Sequence, residues 1–295
     1  MFYRRKIILA MIRLFGGELD KIRLQKLLML FGEKQTVPVY EFVPYKFGCY
    51  SFSAHADLAV MARKELLKDG DKSYILPNKS TDYLKQVKPE DRVILQSIRN
   101  QFARCDTMEL MRFTYIHYPY YATKSVKAVG LLNPMELAKV EAAKPKSDTT
   151  VLFTIGYEGV SVEAYLNKLI QNGVKLLVDV RNNPQSMKYG FSKNTLKRLC
   201  ENVGVGYEHI PEVGIRSEFR KELKIQADYD DLFKDYRKNN LSQSQESQNR
   251  ILSLLNQYGR IALTCFEADI CRCHRKPLAE AVSKLPGFNF ELSHI

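Results

Sequence analysis

Between Ile261 and Arg275 the sequence reads IALTCFEADICRCHR, an apolar, β-branched run that ends in Cys265 and breaks into Glu267, Cys271, Cys273, His274 and Arg275. A cysteine that ends a strand ahead of a polar loop can act as a nucleophilic thiolate if helix amides or a guanidinium stabilise it, here Arg181 or Arg275. The competing reading is a buried apolar thiol finishing a core strand. Glu267 shares the side of Cys265 if the strand continues, which makes it the candidate general acid/base. A second apolar run, LLVDVR at 176–181, places Asp179 and Arg181 two apart and so on one side of a strand. The pair suits proton transfer combined with an anion clamp, or a structural ion pair at a sheet edge.

Three further groups complete the chemistry. Tyr157 follows the apolar run VLFTIG, and Tyr207 and His209 lie in YEHI. Cys271, Cys273 and His274, with Cys265, raise the question of zinc. Structural zinc sites use Cys-x2–4-Cys pairs, whereas Cys-x-Cys-His crowds its ligands and lacks a second pair, so no metal is assigned. Instead, His274 and Arg275 open the last helix, where amides and a guanidinium make a place for phosphate or carboxylate. Arg272 falls one residue too late after Cys265 for a Cys-x5-Arg phosphate loop. A Walker loop and a complete Gly-x-Gly-x-x-Gly are also absent, which argues against nucleotide triphosphate hydrolysis, and no cofactor is implied.

These residues need parallel strands to gather them. The spacing predicts strands at 151–155, 175–180, 207–210 and 261–265, with helices at 162–170, 196–203, near 228–238, near 246–257 and at 277–285. An edge strand is predicted at 288–292. Strands alternating with helices imply right-handed crossovers and a three-layer α/β domain with a mostly parallel sheet. Ligands then sit beyond the carboxyl ends of the strands, where Tyr157, Asp179, Arg181, Tyr207, His209, Cys265 and Glu267 would converge.

The 295 residues suffice for two cores. Residues 144–150, KPKSDTT, have no apolar period and divide the chain into domains 1–145 and 146–295. Of the net charge of +12, the first 150 residues hold 25 Lys+Arg against 16 Asp+Glu, so the basic excess lies mainly in the first half. That excess favours a polyanionic partner, DNA or RNA. The cysteines show no disulfide framework, no signal peptide or membrane span is visible, and a cytoplasmic location with reduced thiols is expected.

The first half predicts helices at 7–15 and 20–31, the latter capped by Asp20. An aromatic strand turns at Phe47-Gly48, and a helix capped by Ser53 leads to a turn at Asp69-Gly70-Asp71 entering 74–76. Two helices follow over 90–117 and one over 135–143. Helices followed by a small β element is the order of a winged helix-turn-helix. Lys46, Lys64, Lys68 and Lys72 are the candidate phosphate contacts, or else a solvated basic face on a domain that docks on protein. The tyrosines of HYPYY, 117–121, either stack on bases or pack between helices.

Two resemblances accompany these readings. LDKIRLQKLLMLFG with YEFVPYKFGCYSFSAHADLAVMARKELL resembles winged-helix domains of prokaryotic and phage-associated proteins, with Cys49 where that pattern usually has proline. TIGYEG, LLVDVRNNPQS, YEHIPEVG and LTCFEADICRCHR resemble, in order, the motifs of the DUF488 family. Here Tyr157 stands in place of a frequent histidine and Val213 in place of leucine. That resemblance implies a fold and a site but no reaction.

The expected function is therefore a nucleic-acid- or nucleotide-directed, enzyme-like protein whose cleft takes an anionic small molecule or nucleotide. In it Asp179 and Glu267 transfer protons, Arg181 and Arg275 hold phosphate, and Cys265 is nucleophile or wall. The alternatives are a non-catalytic DNA-binding regulator that senses a small anion, and a thiol or metal sensor using Cys271 and Cys273.

Overall fold

The computed structural model describes residues 1–78, 80–145, 148–216, 218 and 223–295. The chain folds as two compact units, Met1–Lys144 and Pro145–Ile295. Two residues of the linker expected at 144–150 lie outside the described residues. Among the described residues, no helix is long and apolar enough to cross a membrane.

The first unit is mainly helical. Its elements are α1 (Tyr3–Leu14), β1 (Glu18–Asp20), α2 (Lys21–Gly32), β2 (Val43–Tyr45), β3 (Gly48–Tyr50), α3 (Phe52–Arg63), β4 (Lys68–Asp69) and β5 (Ser73–Ile75). Helices α4 (Pro89–Phe102), α5 (Thr107–His117), α6 (Pro119–Ala122), α7 (Ala128–Leu131) and α8 (Pro134–Ala142) follow. Asp20 caps α2, its Oδ1 accepting from the amides of Ile22 at 2.8 Å and Arg23 at 3.0 Å. The same residue ends β1, which pairs antiparallel with β5, so a three-stranded sheet of order β1-β5-β4 forms beside the helices. Periodicity does not reveal that short strand, because the Gly16-Gly17 stop and the Asp20 cap leave only three residues for it. Helix α3 is capped by Ser51 rather than Ser53, since the Ser51 hydroxyl accepts from the Ala54 amide and starts the helix earlier. Tyr118 and Tyr121 of HYPYY pack against the helical core.

The second unit is the expected α/β domain. It runs β6 (Val151–Gly156), α9 (Val162–Gln171), β7 (Leu176–Asp179), α10 (Lys193–Asn202), β8 (Gly206–His209), α11 (Gln226–Asp235), α12 (Gln245–Tyr258), β9 (Arg260–Cys265), α13 (Arg275–Val282) and β10 (Glu291–His294). The five strands form one sheet of order β10-β6-β9-β7-β8, and every pairing is parallel. Strands β6 and β7 are buried along their whole length, as their continuous apolar runs require.

Topology decides where the site lies. The connections through α9 and α10 step one way across the sheet, and those through α11–α13 step back, so right-handed crossovers put the two sets of helices on opposite faces. Leu176, Val178, Ile261 and Leu263 share a core with α12 and α13. Thr264 faces the other side, where the Tyr165 hydroxyl of α9 donates to it at 2.7 Å. The connections reverse direction around β9, and the crevice of such a sheet opens beyond the carboxyl ends there, at β6, β9 and β7.

The last strand is Glu291–His294, not 288–292. Phe288 and Phe290, whose alternation suggests a strand, pack instead as loop residues against the core that α12 and α13 cover. Helix α13 begins at Arg275, two residues earlier than expected, with His274 at its N-cap.

Candidate functional site

At the end of β7, Arg181 and Asp179 form a buried pair, 5% and 0% exposed. The guanidinium meets the carboxylate through both edges, Nε donating to Oδ1 at 2.8 Å and NH2 to Oδ2 at 2.5 Å. The Arg181 amide also donates to Oδ1, and the Tyr207 hydroxyl of β8 donates to Oδ2 at 2.7 Å. Both carboxylate oxygens thus accept two hydrogen bonds, which fix Asp179 in place. The remaining face of Arg181 donates through NH1 to the Tyr157 hydroxyl at 2.8 Å and the Phe191 carbonyl at 2.9 Å. Burial works against the Arg181 charge, but the hydrogen bonds and charge of Asp179 and the Tyr157 contact outweigh it, so the guanidinium is held protonated even more firmly than usual. Burial and the nearby Asp179 carboxylate push the Tyr207 phenol up.

Tyr157 stacks on Phe191 with ring centroids 4.3 Å apart, and Arg181 lies over the Tyr157 ring. His209 at the end of β8 braces the same turn. Its Nδ1 is 2.9 Å from Lys193 Nζ and accepts from it, so Nε2 carries the proton and donates to the Arg181 carbonyl.

A second group gathers around the end of β9. Cys265, Cys273 and His274 are all buried, and the thiol of Cys265 lies 3.1 Å from Glu267 Oε2 and 3.5 Å from His274 Nδ1. The other His274 nitrogen, Nε2, is 3.1 Å from the Val180 carbonyl and donates to it. Burial pushes the Cys273 thiol well up, with Cys265 and Glu267 adding to the effect and Arg275 opposing it. Arg275, 2% exposed, lies under the loop after β9 and donates to the carbonyls of Glu267 and Ala268. Cys271 stands apart, exposed, with Lys276 Nζ 3.7 Å from its sulfur.

The expected constellation is therefore divided. Register pairs Asp179 with Thr264, one step out of phase with Cys265, so the Asp179 and Cys265 side chains leave the sheet on opposite faces. Arg181, two residues on from Asp179, shares the rim with Cys265. A cavity of about 330 Å³ opens there, lined by Tyr157, Arg181 and Cys265 together with Asn182, Asn183, Gln185, Ser186, Met187, Ile215 and Phe266. Tyr207, His209, Asp179, His274 and Arg275 stand behind this wall as supports, and Glu267 touches it through Cys265. Lys188, whose ammonium donates to the Tyr157 carbonyl at 2.7 Å, is another brace, one that sequence reasoning misses. The amides and hydroxyl of Asn182, Asn183, Gln185 and Ser186 are visible in the RNNPQS run. They carry no charge and so do not stand out.

The sequence of this unit now has a relative. Residues 161–282 match the family described as Domain of unknown function DUF488. The matched span includes Asp179, Arg181, Tyr207, His209, Cys265, Glu267, Cys273, His274 and Arg275, so the DUF488 segment contains both groups and most of the cavity wall. No curated protein matches the chain.

In the first unit, the candidate phosphate contacts are all exposed. Lys64 ends α3, Lys68 lies in β4 and Lys72 in the turn before β5, consecutive along one helix and its following hairpin. Lys46 sits on the other hairpin, in the turn between β2 and β3.

Proposed function

We propose that the DUF488 unit binds an anionic ligand, a nucleotide or a nucleic-acid end, in the cavity at the end of β6, β9 and β7, and that the first unit is a winged-helix-like module that holds nucleic acid. The observation that carries the first half of this reading is the cavity wall itself. Arg181 lines the wall with its guanidinium fixed by Asp179, Tyr157 and Phe191, which leave one NH2 donor for a ligand, and Asn182, Asn183, Gln185 and Ser186 offer uncharged donors beside it. A preoriented cation with neutral donors is how a site takes phosphate without reorganising. Asp179 anchors Arg181, and Glu267 is the carboxylate placed to accept a proton at the wall.

The test uses the full chain with inorganic phosphate, a panel of mononucleotides and short oligonucleotides, read by calorimetry and product analysis. At least one should bind. Gln185→Glu places a like charge on the wall without disturbing the buried pair and should weaken that ligand about tenfold, the effect of one unit charge at a few ångströms in a partly solvated site. Binding of none of them overturns the proposal. Binding without turnover would select a sensor rather than an enzyme.

What supports the second half is element order: α1, β1, α2 and α3, then the β4–β5 hairpin that joins β1 in a sheet, with exposed lysines along α3 and the hairpin. Replacing Lys64, Lys68 and Lys72 by alanine in the full chain should weaken DNA binding uniformly across sequences. It should also flatten the dependence of log affinity on log salt by about 0.9 for each phosphate that is no longer neutralised. An unchanged salt slope in titrations of duplex DNA would count these lysines out.

A further inference from the structure

From the geometry at the end of β9 we infer a metal site that the spacing of the sequence argued against: a thiophilic divalent cation of the zinc class held by Cys265 Sγ, Cys273 Sγ and His274 Nδ1, with the fourth position left to an exogenous ligand. The ligand atoms of Cys265, Cys273 and His274 all lie within 4.8 Å of one another. His274 Nδ1 is 3.5 Å from Cys265 Sγ and 4.0 Å from Cys273 Sγ. A tetrahedral ion with Zn–S near 2.3 Å and Zn–N near 2.0–2.1 Å sets its ligand atoms roughly 3.5–3.8 Å apart along the edges. The two edges from His274 lie within about half an ångström of these values, and the third, between the two sulfurs, is within 4.8 Å.

Three features beyond the distances point the same way. The imidazole is already oriented, because Nε2 donates to the Val180 carbonyl and leaves the Nδ1 lone pair facing the sulfurs. A backbone acceptor on the distal nitrogen is the usual way in which a metal-bound histidine is fixed. The ligands come from rigid places, Cys265 from the end of a central strand and Cys273-His274 from the start of α13, with Arg275 pinning the loop between them through two carbonyls. Finally, the donor set of two sulfurs and an imidazole selects zinc and its thiophilic neighbours over magnesium or calcium. On binding, both thiols lose their protons to solvent and the thiolates take the cation, with no change of oxidation state. Because Cys265 also lines the cavity, the ion would sit in its wall. The site does not depend on anion binding, since its test reads metal and not ligand.

Spacing along the chain points away from metal for a physical reason. A second cysteine pair is missing from the sequence, but the sulfur it would supply comes from a strand end eight residues before Cys273.

The full-length protein, expressed with zinc present and desalted, should carry one zinc per chain by elemental analysis. Cys273→Ser and His274→Gln should fall to background, and Cys271→Ser, which alters the exposed cysteine outside the cluster, should keep its metal. Since the first two variants risk misfolding, the wild-type protein is also stripped with a chelator and titrated with cobalt(II). Thiolate-to-cobalt charge-transfer absorption with tetrahedral ligand-field bands, displaced by zinc, is the expected result. A folded wild-type chain that holds no zinc and gives no charge-transfer band overturns the inference, as does a Cys265–Cys273 disulfide in the protein as isolated. Full metal retention in a folded Cys273→Ser variant overturns it too.

Discussion

Asp179→Asn should destabilise the C-terminal unit by about 3–5 kcal/mol, because it removes one partner of a buried ion pair and leaves the other charged. Asparagine keeps an acceptor for Tyr207 and nearly the same volume, so lost packing contributes little. The loss comes from the Arg181 guanidinium, 5% exposed and without a counter-charge. Chemical denaturation of the full chain, followed through a probe in the second unit, measures it. Adding Arg181→Met to Asp179→Asn should recover much of the loss, since no charge then remains buried, although the Tyr157 hydroxyl and the Phe191 carbonyl lose a donor. An exposed pair such as Lys234–Asp231, both side chains at least three-quarters exposed, should show no measurable change when one member is neutralised. If Asp179→Asn behaves like that surface pair, the anchored guanidinium on which the cavity wall depends is not anchored by Asp179.

Gly156→Ala is the second large effect expected. A Cβ at this position would lie 1.9 Å from the Glu267 carbonyl oxygen and 2.7 Å from its carbon. These are backbone atoms that cannot swing aside. The loop is pinned above by the Tyr157 and Glu158 amides, which donate to the Phe266 carbonyl, and below by Arg275. The alanine must therefore push Glu267 and Cys265 out of place or force the sheet apart. The cost should reach or exceed the roughly 1–3 kcal/mol typical of overpacking. It should appear as a lower denaturation midpoint together with loss of the cobalt spectrum. Gly130→Ala is the contrast, since a Cβ there meets nothing within 4 Å, and its stability should be unchanged or slightly raised.

Both predictions rest on features that the sequence reveals only in part. The three central strands are plain in VLFTIG, LLVDV and IALTC, because a strand buried on both faces must be apolar throughout. The edge strand Gly206–His209 is only half-buried, and its aromatic start at Tyr207 hides the glycine that opens it. What no run of residues states is the order in which strands pair. The register of Asp179 against Thr264 decides that Asp179 and Cys265 face apart, and with it which candidates line the cavity and which brace it from behind. The tight approach of the Glu267 loop over Gly156 is hidden for the same reason, since TIG reads as an ordinary strand end until another strand is laid beside it.

That strand order also bears on how the domain is made. Strands β6 and β7 have no common neighbour until β9 slides between them, and β9 comes only after α12, Val151 meeting Arg260 and Leu176 meeting Ile261. A ribosome that has released everything up to α12 has delivered β6 and the paired strands β7 and β8, but no keystone between them. Closure entropy must then be met before those long-range contacts return anything, the circumstance that makes parallel sheets slow to assemble. Until β9 has been made, β6 stands apart from the β7–β8 pair, and it is the strand ending in Cys265 that brings them together.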